Sequence, residues 1–535
     1  MVNAQAKHIL RNSMMPLKRL VVATALSTLL ATSALAQDGG ARNVILMISD
    51  GIGFNGWLAS DYYQGKLNQQ SYQVSRPDGT TPAVYGLKHD SLNLINELGE
   101  PLPNASDPAE AVGAVEMGYD PRTRWLQFDG AFRNDYPPVS ERYTSYTDSA
   151  AAGTTMHTGR KTANGRLNMD WTGTKPFRTI AQIAVDQGRS AGAVTSVQVS
   201  HATPASTIAH NVSRQNYAEI FNEMAASDLT VMMGAGHPFY DDSGNLAQPE
   251  VDEDFRFLGG EATVSALTSE EGLNGFTFID APEAFEALAN GDDVPERVIG
   301  IARARNTLQA SREALPDGDT PSGMAFNEAV PDLATMSLGA INVLDQNPNG
   351  FFLMIEGGAV DWMGHANNMP RFIEEQIDFD RAVDAVIAWV EENSSWDETL
   401  LIVTSDHETG GIWGEGTFTN GEGGPVAADR SDEAVLAARY DPAEDVFNGF
   451  FAVQDRGEGN MPGYQFASRN HTNELVPMWV MGPGADGFEQ FTRTDLRAGQ
   501  LWGEQYGWDG TYVDNTAMFF VMNEALGGAE AQPGG

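Results

Sequence analysis

Residues 351–404 read FFLMIEGGAVDWMGHANNMPRFIEEQIDFDRAVDAVIAWVEENSSWDETLLIVT, and this stretch decides the fold class. Apolar runs open it at 351–355 and close it at 399–404, and both have the length and composition of buried strands. Between them, apolar residues recur at helical spacing over 371–392, after Pro370, a residue favoured in the first turn of a helix. The stretch therefore predicts a strand, a helix and a second strand in succession.

Apolar runs of the same kind occur at 43–49 and 192–197. The alternation of such runs with amphipathic stretches predicts an α/β fold, with a central, mostly parallel sheet sandwiched by helices. Two regions are expected to be insertions or a crown region on this framework: 236–330, which is acidic and irregular, and 409–465, which begins glycine-rich and is expected to cover the site. Ligands of such sheets bind at the carboxyl ends of the strands.

The N-terminal region has the pattern of a Sec-type signal peptide. Residues 18–36, KRLVVATALSTLLATSALA, combine a basic start, an apolar run and an Ala-x-Ala ending, which predicts cleavage after Ala36. The run is too short for a resident membrane helix. We therefore expect residues 1–36 to be removed, residues 37–535 to form one catalytic domain, and the protein to be periplasmic or secreted.

The amino-acid composition limits the classes of molecule that the protein can bind. The chain has 73 acidic and 32 basic side chains, a formal net charge of −41 and no cysteine. The electrostatic field of so large a negative charge repels phosphate backbones and anionic lipid. This excludes a general nucleic-acid binder or membrane-surface binder. The acidic, lysine-poor composition suggests adaptation to high salt, where screening weakens self-repulsion. Without disulfides, an exported chain must be held by its core, by oligomerisation or by metal.

Two motifs after predicted strands carry metal-ligand chemistry. MIEGGAVDWMGH, residues 354–365, contains Glu356, Asp361 and His365, and a four-residue spacing puts the last two on one side of a helical turn. VTSDHETGG, residues 403–411, contains Asp406 and His407, which can share a metal only if the backbone turns there. Each motif alone also fits a structural role, such as a capped helix start with a surface histidine.

Two further residues are candidate metal ligands only when they are considered together with these two motifs. Asp50 follows the run at 43–49, where an Asx-turn or helix cap is the ordinary role of aspartate. His471 lies in SRNHTNELVP and by itself would be read as a hydrogen-bonded core histidine. Their joint occurrence at separate strand ends is what a hydrolase with two zinc ions requires.

Two other motifs suit phosphate. In YTDSAAAGTTMHTG, residues 146–159, Ser149 follows Asp148 at the start of a small-residue helix, whose positive end favours a phosphoryl group. An ordinary N-cap is the alternative. SHATPASTIAHNVSR, residues 200–214, offers His201, Thr203 and Arg214, and an arginine can donate to two phosphate oxygens at once.

In order and spacing, this set resembles the alkaline phosphatase family over essentially all of the mature chain. The resemblance implies hydrolysis of small-molecule phosphate monoesters to an alcohol and inorganic phosphate through a phosphoserine, by a homodimer. It also implies that Ser149 is the nucleophile and that Asp148 orients Arg214 onto the phosphate. The implied metal ligands are Asp361, His365 and His471 for one zinc, Asp50, Asp406 and His407 for a second, and Asp50, Thr203 and Glu356 for a magnesium, with His201 as a further candidate ligand near the magnesium site.

The chain departs from part of that family, and other readings compete. Some members have Asp in place of His201 and Lys in place of Trp362, and these two positions are expected to affect magnesium affinity and the rate of phosphate release. A related phosphodiesterase or sulfatase would share many metal ligands but commonly uses Thr or a modified Cys as nucleophile. A metal- or phosphate-binding protein without turnover is a further alternative. The ending YVDNTAMFFVMNEAL, residues 512–526, is expected to be the family's closing helix.

Overall fold

An eleven-stranded sheet runs through the middle of the computed structural model. The structure describes residues 40–99, 111–116, 119, 146–313, 318, 320–417, 440–441, 446–447 and 449–528. The predicted signal peptide and residues 418–439, 442–445 and 448 of the second predicted insertion lie outside these ranges. The assignment of 236–330 and 409–465 as insertions stays a prediction.

The strands are β1 Asn43–Ser49, β2 Ala83–Lys88, β3 Leu92–Ile95, β4 Gly113–Glu116, β5 Ser190–Gln198, β6 Val231–Ala235, β7 Thr277–Ile279, β8 Val298–Ile301, β9 Phe351–Gly357, β10 Thr399–Thr404, β11 Glu408–Thr409, β12 Ile412–Trp413, β13 Tyr440–Asp441, β14 Val446–Phe447, β15 Gln465–Phe466, β16 His471–Thr472, β17 Val476–Met481, β18 Arg493–Thr494 and β19 Thr511–Asp514. The α-helices are α1 Phe54–Gln64, α2 Ser149–Thr158, α3 Ile180–Asp186, α4 Ala202–Ala205, α5 Tyr217–Ala226, α6 Glu261–Leu267, α7 Pro282–Ala289, α8 Leu333–Leu344, α9 Ala359–His365, α10 Met369–Asn393, α11 Leu496–Tyr506 and α12 Thr516–Ala525. Asp252–Leu258 and Ala485–Phe491 are 3₁₀ helices.

The strand order in the large sheet is β18-β19-β2-β17-β10-β1-β9-β5-β6-β8-β7. Every neighbouring pair from β10 to β7 is parallel. On the other side, β17 is antiparallel to both β10 and β2, β19 is parallel to β2, and β18 is antiparallel to β19. The predicted mostly parallel sheet is confirmed, with a mixed edge.

Both faces of the sheet are covered, as a largely parallel sheet requires. Along β1, Ile45 and Met47 join a core cluster that includes residues of α1, α8 and α10. Val44, Leu46 and Ile48 join a second cluster that includes residues of α2, α3, α5 and α12. All seven residues of β1 are buried, which explains why residues 44–48 form a continuous apolar run rather than an alternating pattern.

The strands predicted at 43–49, 192–197, 351–355 and 399–404 lie in β1, β5, β9 and β10, and the helix predicted at 371–392 lies in α10. The prediction of one helix over 512–526 was wrong at its start. Thr511–Asp514 form β19, which pairs with β2, and the helix begins at Thr516. Tyr512 and Val513 have the β-prone side chains that fit this strand. Asp514 Oδ1 accepts the Thr516 N–H at 3.0 Å and closes the turn into the helix.

Within the described ranges, no helix combines the length and apolar character needed to cross a bilayer.

Candidate active site

The site begins where three neighbouring strands end. β1 lies between β10 and β9, and the register aligns Ile48 with both Thr404 and Glu356. Asp50 follows β1 and Asp406 follows β10 by two residues, so the three carboxylates converge at the carboxyl edge of the sheet. All three are fully buried. The strand-end location predicted from the sequence is therefore the one observed.

Asp361, His365 and His471 form the first cluster. The single helical turn of α9 presents Asp361 and His365 together, with His365 Nε2 3.4 Å from Asp361 Oδ2. His471, in the two-residue strand β16, places Nε2 3.5 Å from Asp361 Oδ1 and 3.1 Å from His365 Nε2. Side chains more than a hundred residues apart thus meet at one point.

The hydrogen bonds of the two imidazoles show which nitrogen of each ring can bind a cation. His365 Nδ1 donates to the carbonyl of Arg469 at 2.5 Å, and His471 Nδ1 donates to that of Thr147 at 2.7 Å. If each Nδ1 carries the proton, both Nε2 atoms of the neutral rings face one another with lone pairs. A cation between them turns that repulsion into coordination, so the donor set fits a metal.

His407, Asp50 and Asp406 form the second cluster. His407 Nε2 lies 3.5 Å from Asp50 Oδ1 and 3.2 Å from Asp406 Oδ2. Its Nδ1 lies 3.3 Å from Thr409 Oγ1, whose hydroxyl donates to Asp361 Oδ1 at 2.5 Å. Nδ1 is therefore the donor, and the Nε2 lone pair faces two carboxylates. Candidate ligand atoms of this cluster lie within 4.8 Å of one another, as do those of Asp361, His407 and His471.

Burial and mutual repulsion disturb the protonation of these acids. Burial, followed by the charge of Asp406, raises the pKa of Asp50 well above its usual value. Burial likewise raises the pKa of Glu356 and of Asp406 to about 7. For Asp361, burial is outweighed by the charge that His365 and His471 carry when they are protonated, and the pKa of this carboxyl is lowered. A divalent cation would supply the positive charge that the clustered carboxylates require.

A set of oxygen atoms lies beside the second cluster. Glu356 Oε2 accepts a short hydrogen bond from Thr195. Glu356 Oε1, Thr203 Oγ1 and both Asp50 oxygens are buried without a hydrogen-bond partner among the described residues. Buried oxygens left in this way suit a hard cation such as magnesium.

Ser149 is the first residue of α2. Asp148 caps the helix by accepting the Ala151 N–H at 3.0 Å, which confirms the N-cap reading of Asp148 but leaves Ser149 free for another role. The Ser149 side chain is 1% exposed, and its Oγ lies 3.3 Å from His407 Nε2. The hydroxyl therefore stands at the positive end of a helix and beside the second cluster.

Hydrogen bonds to two neighbouring side chains orient the Arg214 guanidinium. Its Nη1 donates to Asp148 Oδ2 at 3.0 Å and its Nη2 to His201 Nε2 at 3.2 Å. Burial, and then the charge of Arg214, lowers the pKa of His201 to about 3, so this imidazole is a neutral acceptor. His201 also contacts the Trp362 ring, with centroids 5.8 Å apart.

These groups share one cavity of about 340 Å³. Its ionisable and hydroxyl lining residues are Asp148, Ser149, His201, Arg214, Asp361, His365 and His471, besides two tyrosines. Asp50, Thr203, Glu356, Asp406 and His407 are not among the lining residues. The structure thus brings the predicted phosphate residues and one predicted zinc set to the same opening, with Ser149 linking them to the second set.

Comparison with known proteins agrees with this arrangement. The family model for alkaline phosphatase matches residues 138–491. The chain belongs to the alkaline phosphatase family. It is 26% identical over 492 residues to alkaline phosphatase 4 of Bacillus subtilis, covering 85% of this chain and 87% of that protein. It is 28% identical over 487 residues to streptomycin-6-phosphate phosphatase of Streptomyces griseus, covering 85% and 94%. The solved Thermus thermophilus alkaline phosphatase has the same fold, with a TM-score of 0.54, 19% identity and 92% of each chain covered. The chain is therefore a phosphatase enzyme that acts on phosphate monoesters, from a family of metalloenzymes.

Sequence reasoning missed several residues of this alkaline phosphatase site. Thr409 joins the two clusters, and its position two residues after His407 within a metal motif could have drawn attention to it. Thr195 holds Glu356 from the middle of β5, where a hydroxyl in a buried strand was the available signal. Tyr146 and Tyr217 line the cavity, and neither has a local pattern that distinguishes it from an ordinary surface tyrosine.

Proposed function

We propose that this alkaline phosphatase cleaves phosphate monoesters through a phosphoserine at Ser149, with two zinc ions and one magnesium ion. The observation that carries the proposal is the shared cavity, in which Ser149 and Arg214 face the Asp361, His365 and His471 cluster. A nucleophile, a phosphate clamp and a metal-type donor set in one opening is the arrangement that phosphoryl transfer requires.

The metals are assigned by donor type. Mixed imidazole and carboxylate donors suit zinc, and oxygen donors alone suit magnesium. The proposed ligands are Asp361, His365 and His471 for one zinc, Asp50, Asp406 and His407 for the other, and Asp50, Thr203 and Glu356 for magnesium. His201 lies near the last set but holds Arg214, so we leave it outside the ligand set.

The chain's own residues define the reaction. Ser149 Oγ attacks phosphorus, the ester P–O bond breaks, and the alcohol leaves with a proton. Water then attacks the phosphoserine, which releases inorganic phosphate and restores the serine hydroxyl. When bound, the metals supply positive charge that favours ionisation of the serine and offsets charge on the departing oxygen.

Arg214 and α2 bind the phosphate through both steps. The guanidinium can donate to two phosphate oxygens, and the bond to Asp148 fixes its direction. The aligned backbone N–H groups at the start of α2 add partial positive charge next to Ser149. Because these groups are preorganised, they stabilise the charge of the transferring group without rearrangement.

The test combines metal analysis with turnover. Purified protein should contain zinc and magnesium, hydrolyse a monoester, lose activity on chelation and regain it with both metals. Ser149→Ala should keep its bound metal yet lose activity and form no phosphoprotein by intact-mass measurement. A fully active Ser149→Ala protein would falsify the nucleophile assignment.

Ser149, Thr203 and Glu356 argue against a diesterase or a sulfatase of similar metal pattern. Turnover of a phosphate monoester should therefore greatly exceed that of a matched diester and a matched sulfate ester. Faster turnover of the diester or the sulfate would overturn the monoesterase assignment.

Three further properties belong to the same proposal. Export rests on the predicted cleavage after Ala36, which N-terminal sequencing of the protein recovered outside the cytoplasm would test. A homodimer is tested by light scattering. Salt adaptation rests on the net charge of −41, and unfolding midpoints that are equal in dilute buffer and in molar salt would contradict it.

A further inference from the structure

Three aromatic rings stand on the walls of the catalytic cavity. Tyr146 precedes α2, Tyr217 is the first residue of α5, and Trp362 lies in α9 between Asp361 and His365. Each ring therefore comes from a different element. All three are only partly buried, whereas Ser149 is 1% exposed, so the rings lie nearer to solvent than the nucleophile.

Neighbouring side chains hold each ring in place. Tyr146 packs edge-on against His471, with centroids 6.0 Å apart. Tyr217 packs in the same way against Phe257, at 4.8 Å. Trp362 contacts His201 and also packs against a small buried cluster made by Val197, Ala310 and Ala359. Rings braced in this way lose little further freedom when a ligand binds.

The part of a substrate that reaches these rings is its alcohol group. The phosphate is bound beside Ser149 and Arg214, so the group esterified to it must extend away from them through the same cavity. At about 340 Å³ the cavity is near the lower limit of small-molecule sites, which span roughly 300–1,000 Å³. The esterified group is thus confined among the walls that carry the rings.

The charges of the cavity do not favour a charged alcohol group. Its two carboxylates are already engaged, Asp148 by Arg214 and Asp361 by the hydroxyl of Thr409. Besides the three rings and the two histidines of the Asp361 cluster, the remaining lining side chains are uncharged: the Ser149 hydroxyl, the His201 imidazole and the amides of Gln215 and Asn470. A flat, uncharged group that offers a ring face is the best match to such walls, because aromatic pairs gain beyond simple area burial.

We propose that this cavity selects phosphate monoesters whose alcohol carries a planar aromatic ring close to the ester oxygen. This selectivity rests on the proposed function and adds the substrate class to it. Tyr146, Tyr217 and Trp362 are the residues that determine it.

The test uses a matched pair of substrates, benzyl phosphate and cyclohexylmethyl phosphate. Both release a primary alcohol and carry a six-membered ring at the same distance from phosphorus. They differ in ring flatness and π-electrons, and benzyl alcohol is also slightly more acidic, so only the part of the difference that the leucine variants abolish is assigned to the rings. We expect kcat/KM for the benzyl ester to be higher by about three- to tenfold, the range given by one or two aromatic contacts. Equal values, or a preference for the saturated ring, would overturn the inference.

Substitutions of the three aromatic residues test whether their rings cause the selectivity. Tyr146→Leu, Tyr217→Leu and Trp362→Leu should each lower the ratio of the two kcat/KM values towards one, whereas Tyr146→Phe, Tyr217→Phe and Trp362→Phe should preserve it. The ratio is the readout because a general loss of activity affects both substrates equally. An unchanged ratio in all three leucine variants would overturn the assignment of the rings.

Inhibition of the unmodified enzyme gives a second measurement that does not depend on the folding of variants. Benzylphosphonate should inhibit more strongly than cyclohexylmethylphosphonate, by a similar factor, and equal inhibition would count against the inference. If the enzyme hydrolyses neither phosphate ester, the proposed function itself fails. If it hydrolyses both equally well, the proposed function stands and only the aromatic selectivity fails.

Discussion

Thr409→Val should weaken zinc binding without unfolding the protein. The substitution replaces a fully buried hydroxyl by a methyl group of nearly the same size. Thr409 lies opposite His471 in the β11–β16 pair, and its N–H donates to the carbonyl of Gly51, next to Asp50. Its hydroxyl contacts a proposed ligand of each zinc: Asp361 Oδ1 at 2.5 Å and His407 Nδ1 at 3.3 Å.

The size of the effect follows from those two contacts. A hydrogen bond to a charged group contributes about 1.5–3 kcal/mol, and the longer bond to the imidazole contributes less. Part of this is lost in the metal-free protein as well, so only the difference between the two states reaches the affinity. Loss of such a supporting partner typically weakens metal binding about 10- to 100-fold, or about 1.4–2.7 kcal/mol.

Bound zinc should be measured by equilibrium dialysis against buffers of fixed free zinc, with activity recorded at each point. We expect the Thr409→Val binding curve to move to 10- to 100-fold higher free zinc, with much of the activity regained at saturation. Thr409→Ser, which keeps the hydroxyl, should bind nearly as tightly as the unmodified protein. Identical binding curves for Thr409→Val and the unmodified protein would refute the bridging role of this hydroxyl.

Three other predictions test the phosphate clamp, the buried acids and the metals. Arg214→Lys removes the two-pronged guanidinium held by Asp148, and inorganic phosphate should inhibit about 10- to 100-fold less strongly, measured as a product-inhibition constant. Burial, and then the charge of Asp380, raises the pKa of Asp61 to about 7. The folded state therefore keeps a proton that the unfolded chain releases near pH 4, and stability falls as pH rises from about 4 to 7. Asp61→Asn has no such proton to lose, so its stability should not fall with pH in this way. Its unfolding free energy from urea titration, relative to that of the unmodified protein, should therefore rise over that interval by at most about 4 kcal/mol. Chelation should lower the thermal midpoint, and zinc with magnesium should restore it, because a ligand at a thousand times its Kd stabilises by about 4 kcal/mol.

The fold was predictable where burial of a strand produces a recognisable pattern in the sequence. The strands β1, β9 and β10 are buried on both faces, so their sequences are continuously apolar and easily recognised. The short strand β19, between β18 and β2, has a weaker sequence signal. Residues 512–514 were predicted to be the start of the helix that follows, because only pairing with β2 and β18 identifies them as a strand.

The site was predictable for a related reason. Asp50, Glu356 and Asp406 lie at or just beyond the ends of recognisable strands, and parallel neighbours bring such ends together. His471 was found only through its place in an ordered set of motifs, since the two-residue strand β16 leaves no periodic signal. Thr195, Tyr146 and the contact between His201 and Arg214 depend on distances across the fold, which no spacing in the chain encodes.

The position of the site also links metal binding to the stability of the fold. Asp50, Glu356 and Asp406 converge at the carboxyl ends of three central, buried strands of the sheet. Burial there strengthens their mutual repulsion, and it equally strengthens their attraction to a cation placed among them. In a chain without disulfides and with a net charge of −41, the ions that support catalysis should therefore also hold the centre of the molecule together.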